Sequence, residues 1–126
     1  MKQDSSSPNW GNLLWRNNLY LGPDVHFDAS KAAMYGHSLG GATAIAAVEK
    51  DSRLSGGADM DGTLFLIDQD IYKLIILFGR EYHNRSTDTS WADAWGHFKG
   101  WKQELDLSSS RHFTCSGVPL VAAEVT

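Results

Sequence analysis

The chain has 126 residues, a net charge of −4, 42% apolar and 21% charged residues, and a single cysteine, Cys115. These proportions are ordinary for a water-soluble globular domain of a size that buries one core. They leave no basic run for nucleic acid, no apolar run long enough to cross a membrane, and neither an internal disulfide nor a thiol metal cluster. With no linker to divide it, the chain reads as one domain over residues 1–126, with a polar tail over 1–9.

Met1-Lys2-Gln3-Asp4-Ser5-Ser6-Ser7-Pro8 has no apolar stretch of the kind a signal peptide needs. The first informative segment is Ala32-Ala33-Met34-Tyr35-Gly36, short and apolar, which predicts a buried strand. Gly36-His37-Ser38-Leu39-Gly40 follows and fits G-x-S-x-G, the nucleophile elbow of α/β-hydrolases. Gly41 through Val48 then reads as a buried helix. Strand, sharp turn and helix are the context in which the pattern carries a mechanism, because the turn lifts the Ser38 hydroxyl above the sheet. Gly36 and Gly40 are expected to let neighbouring backbone pass close by, and Gly41 and Ala42 to keep the first helical turn slim.

Further strands are expected at Gly56–Asp61, Lys73–Gly79 and Gln103–Leu107. Between the last two, Trp91, Ala94, Trp95 and Phe98 recur at i, i+3, i+4 and i+7, which predicts a helix over Ser90–Lys102. Ser90 would cap it with Asp93 three residues on, and Gly100 would stop it. An aromatic stripe of this kind packs on a sheet more often than it forms a lipid pocket. The fold class is therefore α/β, a partial α/β-hydrolase fold with a mostly parallel sheet of four strands and flanking helices.

A serine hydroxyl needs a base, and in this fold the order along the chain is Ser, then Asp or Glu, then His. His112 lies in the Ser-rich loop after the last strand and is the favoured base, with His83 second. His37 sits inside the elbow and points away from its neighbour, and His97 falls within the helical pattern. For the acid, Asp61 and Glu81 each end a strand at the edge where active sites of open α/β sheets gather. The residues themselves leave both open. Asp59 is a weaker candidate, and Asp68 and Asp70 read as loop carboxylates. The backbone N–H of Leu39, next after the nucleophile, is the expected oxyanion donor.

Several segments resemble the platelet-activating factor acetylhydrolase family, plasma-type and fungal. They are Gly36 through Thr43, Gly57-Ala58-Asp59-Met60-Asp61-Gly62-Thr63, Phe78 through Ser86, Trp91 through Trp101, and Ser110-Arg111-His112-Phe113-Thr114. The resemblance covers about residues 25–120 and implies Ser38 as nucleophile, Asp61 as acid and His112 as base. It implies an ester hydrolase working through an acyl-enzyme on phospholipids with a short or oxidised acyl chain, with no metal and no cofactor. It also suggests a secreted protein, a context in which Asn84-Arg85-Ser86 would be a glycosylation acceptor.

Trp10–Tyr20 resembles the helix that precedes the elbow strand in that family. The strands that usually come earlier have no counterpart, so the chain is expected to be the C-terminal half of the fold, a fragment or a chain that needs a partner. The second oxyanion donor normally comes from those earlier strands. The elbow strand would be left as an open sheet edge, for a partner chain or a second copy to cover. Two alternatives to the acetylhydrolase reading follow: a catalytically impaired interaction module, and a general carboxylesterase of the cutinase kind.

Overall fold

The computed structural model describes residues 28–125. The expected helix over Trp10–Tyr20 lies outside them. A 3₁₀ turn at Ala29–Lys31, capped by the Asp28 side chain, leads into β1 (Ala32–His37) and α1 (Leu39–Lys50). β2 (Leu54–Met60), β3 (Leu74–Arg80), α2 (Thr89–Trp95), β4 (Lys102–Leu107) and α3 (Val118–Val125) follow. The four strands form one sheet in the order β1-β2-β3-β4, and each pair is parallel. Sequential parallel strands need crossovers, and α1 and α2 lie in two of them.

The expected strands appear within two residues of their expected ends. Lys73, expected to open β3, lies just ahead of it. It donates to the carbonyls of Val48 and Asp51 at 2.6 and 2.7 Å, tying the start of β3 to the end of α1.

The helix expected over Ser90–Lys102 is shorter and starts differently. Asp88 is the cap, its Oδ1 accepting from the amides of Ser90 and Trp91 at 2.8 and 3.4 Å, and the helix ends at Trp95. A competing backbone partner ends it. His97 O accepts from Ile71 N, and the amides of Lys99 and Gly100 donate to Ile71 O, which pairs Phe98 with Ile71 as a short parallel bridge. Phe98 is still buried, as its i+7 spacing implied, but it reaches the core from a strand-like segment. The helix α3 was not anticipated. Its signal is Pro119 in the first turn, where a missing N–H costs nothing.

The core lies on one face of the sheet. Ile45 and Val48 of α1, Ile75 and Leu77 of β3, and Trp91, Ala94 and Phe98 form a single buried cluster with Leu64, Ile67 and Ile71. Side chains alternate along a strand, so β3 points Leu74, Ile76 and Phe78 the other way. On that second face Tyr35, Leu74, Leu105 and Leu107 are exposed. Among the described residues β1 lies at an edge of the sheet, as expected.

Among the described residues two buried ones are charged by type, Asp59 and Asp61. Asp59, on β2, is fully inaccessible. Its carboxyl accepts from Gly62 N at 3.0 Å and from Trp91 Nε1 at 3.1 Å. Burial pushes it up to about 7, against the opposing pull of those two donors.

Two outcomes follow. Phe98→Ala should destabilise the fold by about 3–5 kcal/mol in chemical denaturation, the usual cost of emptying a buried aromatic site. The raised Asp59 carboxyl keeps its proton in the folded chain while the unfolded chain loses it, between pH 3.8 and about 7. Stability should therefore fall by up to about 1.4 kcal/mol per pH unit across that window and level off above it. Asp59→Asn should remove that slope, and unfolding curves of the two proteins that stay parallel from pH 4 to 8 would contradict the assignment.

Candidate active site

The elbow is a conformation as well as a motif. Ser38 has φ 56° and ψ −123°, a left-handed region that few residues other than glycine occupy. Such a residue costs on the order of 1–3 kcal/mol and persists only where its surroundings over-determine it. Here Ser38 N donates to Met60 O at 2.8 Å, and Ser38 O accepts from the amides of Gly41 and Ala42 at 3.0 and 3.2 Å as α1 begins. The turn leaves no room for a Cβ at two glycines. One at Gly36 would run into the Gly40 carbonyl, and one at Gly41 into the Asp59 carboxylate. The expectation for Gly40 itself is corrected: a Cβ there would meet open space, because its α-carbon lies on the solvent side of the turn. The crowded pair is Gly36 and Gly41.

Asp61 follows β2 directly, again with positive φ, at 56°. Its side chain is 2% exposed, yet its two oxygens collect donors from three segments. Oδ1 takes the Arg80 amide at 3.2 Å and Nδ1 of His83. Oδ2 takes Nδ1 of His112 at 2.5 Å and lies 3.5 Å from the Arg80 guanidinium. Burial alone would raise this carboxyl, but the His83 and His112 donors and the Arg80 amide outweigh it and hold it below the usual carboxylate range. Since an ionised carboxylate only accepts, Nδ1 of His112 carries the proton. Nε2 is left with its lone pair, 3.1 Å from Ser38 Oγ.

The structure thus brings Ser38, Asp61 and His112 into one hydrogen-bonded chain. It leaves Glu81 out of it: the Glu81 amide donates to Ser110 Oγ, which donates to Leu107 O. Those bonds shape the loop that carries His112. His83, the second candidate base, has its ring nitrogens on Asp61 and Asp88. His97 pairs with Asp70 at 3.0 Å, away from the chain. Leu39 opens α1, where the first amides of a helix have no partner within it.

His37 has a part that its position in the motif did not suggest. Its Nε2 donates to the carbonyl of His112 at 2.5 Å, and its ring lies 4.6 Å from that of His112. It clamps the loop from the elbow side, and only the fold brings it there. His37, Asp61 and His112 also place one donor atom each within 4.8 Å of one another, a spacing that could hold a metal ion. His112 Nδ1 and His37 Nε2 are already engaged in the hydrogen bonds above. Beside the chain lies a polar cavity of about 310 Å³, lined by Asp61, Thr63, Arg80, Tyr82, His83 and His112 among others.

The sequence model of the family "Platelet-activating factor acetylhydrolase, isoform II" matches residues 24–95, more than half of the chain. A probable 1-alkyl-2-acetylglycerophosphocholine esterase of Arthroderma benhamiae is 33% identical over an alignment of 104 residues that covers 73% of this chain and 27% of that relative. A platelet-activating factor acetylhydrolase of Cavia porcellus is 35% identical over 66 residues, 49% of this chain and 15% of the relative. The chain thus spans about a quarter or less of the curated relatives it matches. Among solved structures, a ferulic acid esterase from Streptomyces cinnamoneus superposes with a TM-score of 0.70 at 26% identity, over 89% of this chain and 34% of that one. The elbow, the parallel sheet and these matches agree, and the chain belongs to the platelet-activating factor acetylhydrolase, isoform II, family.

Proposed function

We propose that this chain carries the catalytic triad of a serine ester hydrolase, with Ser38 as nucleophile, His112 as base and Asp61 as the carboxylate that orients it. The observation that carries the reading is the continuous relay from Ser38 Oγ through His112 to the buried Asp61 carboxylate. His112 Nε2 takes the Ser38 proton as Oγ attacks an ester carbonyl. The tetrahedral oxyanion is held by the Leu39 amide, and collapse expels the alcohol, which receives that proton from His112. Water then repeats the sequence on the acyl-enzyme, releasing the acid and restoring Ser38. No step needs a metal or a cofactor.

The substrate class is a small lipid ester, a phospholipid with a short acyl chain. The resemblance in sequence and the names of the two curated relatives support it. The polar cavity beside His112, with Arg80 on its wall, is consistent with a charged head group rather than a long acyl chain. The likeness to a ferulic acid esterase keeps a broader carboxylesterase in play, and an acyl-length series on soluble esters separates the two. A second reading, an impaired module that binds a partner chain, has one observation in its favour. Edge strand β1 exposes Tyr35 at 74% and Met34 at 36%, and open apolar edges pair with other chains.

A fluorophosphonate probe should label Ser38 stoichiometrically, read by intact mass, and Ser38→Ala should abolish the label. A folded sample that takes no label favours the second reading. Asp61→Asn should lower turnover by roughly 10⁴-fold, as loss of the orienting carboxylate does in triads of this kind. Glu81→Gln should leave turnover nearly intact, and the reverse pattern would move the acid to Glu81.

A further inference from the structure

The relay uses one oxygen of Asp61, and the other has a partner of its own. His83 sits after β3, its side chain 11% exposed. Its ring stacks on Trp91, with centroids 4.3 Å apart and planes 25° from parallel. Nδ1 meets Asp61 Oδ1, and Nε2 meets Asp88 Oδ2 at 2.8 Å. Asp88 in turn caps α2 through Oδ1, which accepts from Ser90 N and Ser90 Oγ at 2.8 and 2.6 Å. The imidazole therefore bridges the end of β2 to the start of α2, between two carboxylates that can only accept when ionised.

We propose that His83 is a positioning residue: it holds Oδ1 of Asp61 against the capped start of α2, so that Oδ2 is presented to His112. This rests on the triad reading above. An aspartate's terminal torsion is soft. Without His83, Oδ1 would keep the Arg80 amide at 3.2 Å, and the Arg80 guanidinium, 3.5 Å from Oδ2, would compete with His112. The stack on Trp91 fixes the ring plane, and Trp91 is itself fully buried and anchored by bonds from its Nε1 to Asp59 and Gly62 O. One side chain thus couples the carboxylate to the core.

Three variants of the full chain separate this role from plain packing. His83→Phe keeps a ring on Trp91 and loses both ring nitrogens. His83→Asn keeps a donor toward Asp61, and His83→Gln keeps one toward Asp88. Two signals are read: the rate at which a fluorophosphonate labels Ser38, and the low-field NMR resonance of the His112 Nδ1 proton. In His83→Phe and His83→Gln, labelling should slow roughly 10- to 100-fold, the scale of a small misplacement of a reacting group, and the His112 proton should move upfield or broaden. His83→Asn should restore both. If His83→Phe does not fold, the Gln and Asn variants still make the comparison. Wild-type rate and resonance in His83→Phe or His83→Gln would overturn the proposal, and so would equal impairment in all three variants. If the wild-type chain takes no label, the triad reading falls and the His112 resonance decides for His83 alone: loss in Gln with recovery in Asn upholds it, and no change overturns it.

Discussion

The carboxylate of Asp61 is the point on which this structure turns. It is almost completely withdrawn from water, and a buried carboxylate is tolerated only when its oxygens are bonded. Its donors come from the end of β3, from the segment after β3, and from the loop after β4. Each of these segments is thereby fixed relative to β2. The parallel register makes this feasible: Met60 lies beside Phe78, and the Asp61 amide donates to Phe78 O at 2.8 Å, so Asp61 and Arg80 leave the sheet at the same edge.

The same edge holds the elbow. His37 pairs with Met60 in the β1–β2 register, and Ser38 N donates to Met60 O, which sets the serine next to the carboxylate's strand. Ser38 and Asp61 both adopt positive φ. Two strained residues on adjacent strand ends mark the place where the chain gives up favourable backbone geometry to aim side chains. Gly41 and Gly36 make that turn sterically feasible, and Asp59 fills the space a Cβ at Gly41 would need. A shell of buried polar contacts, Asp59 to Trp91 and His83 to Asp88, surrounds the relay on the core side. On the solvent side His112 keeps 38% of its side chain exposed, as the proposed role of base requires.

Among the described residues the sheet is well covered on one face and more exposed on the other. Ile45, Val48 and Trp91 pack over β2 and β3, whereas Leu74, Leu105 and Leu107 face outward and α3 presents Val118, Leu120 and Val121 to solvent. Contiguous exposed apolar surface marks contact with something else. The relatives extend well beyond the matched region, which suits a sheet that is one part of a larger layer.

Local pattern was enough to read much of this. The strands came from short apolar runs, the elbow from three fixed residues between a strand and a helix, and burial of Trp91, Ala94 and Phe98 from their spacing. Order along the chain brought Ser38, an acid and His112 into view, because that order is a property of the fold. What local pattern could not rank was Asp61 against Glu81, since both end a strand. The choice depends on which carboxylate faces the loop after β4, and that is set by contacts between residues 51 positions apart. The early end of α2 at Trp95, the clamp from His37 and the bridge through His83 have the same origin. Each depends on a hydrogen-bond partner that only the assembled sheet brings within reach, so no local periodicity encodes it.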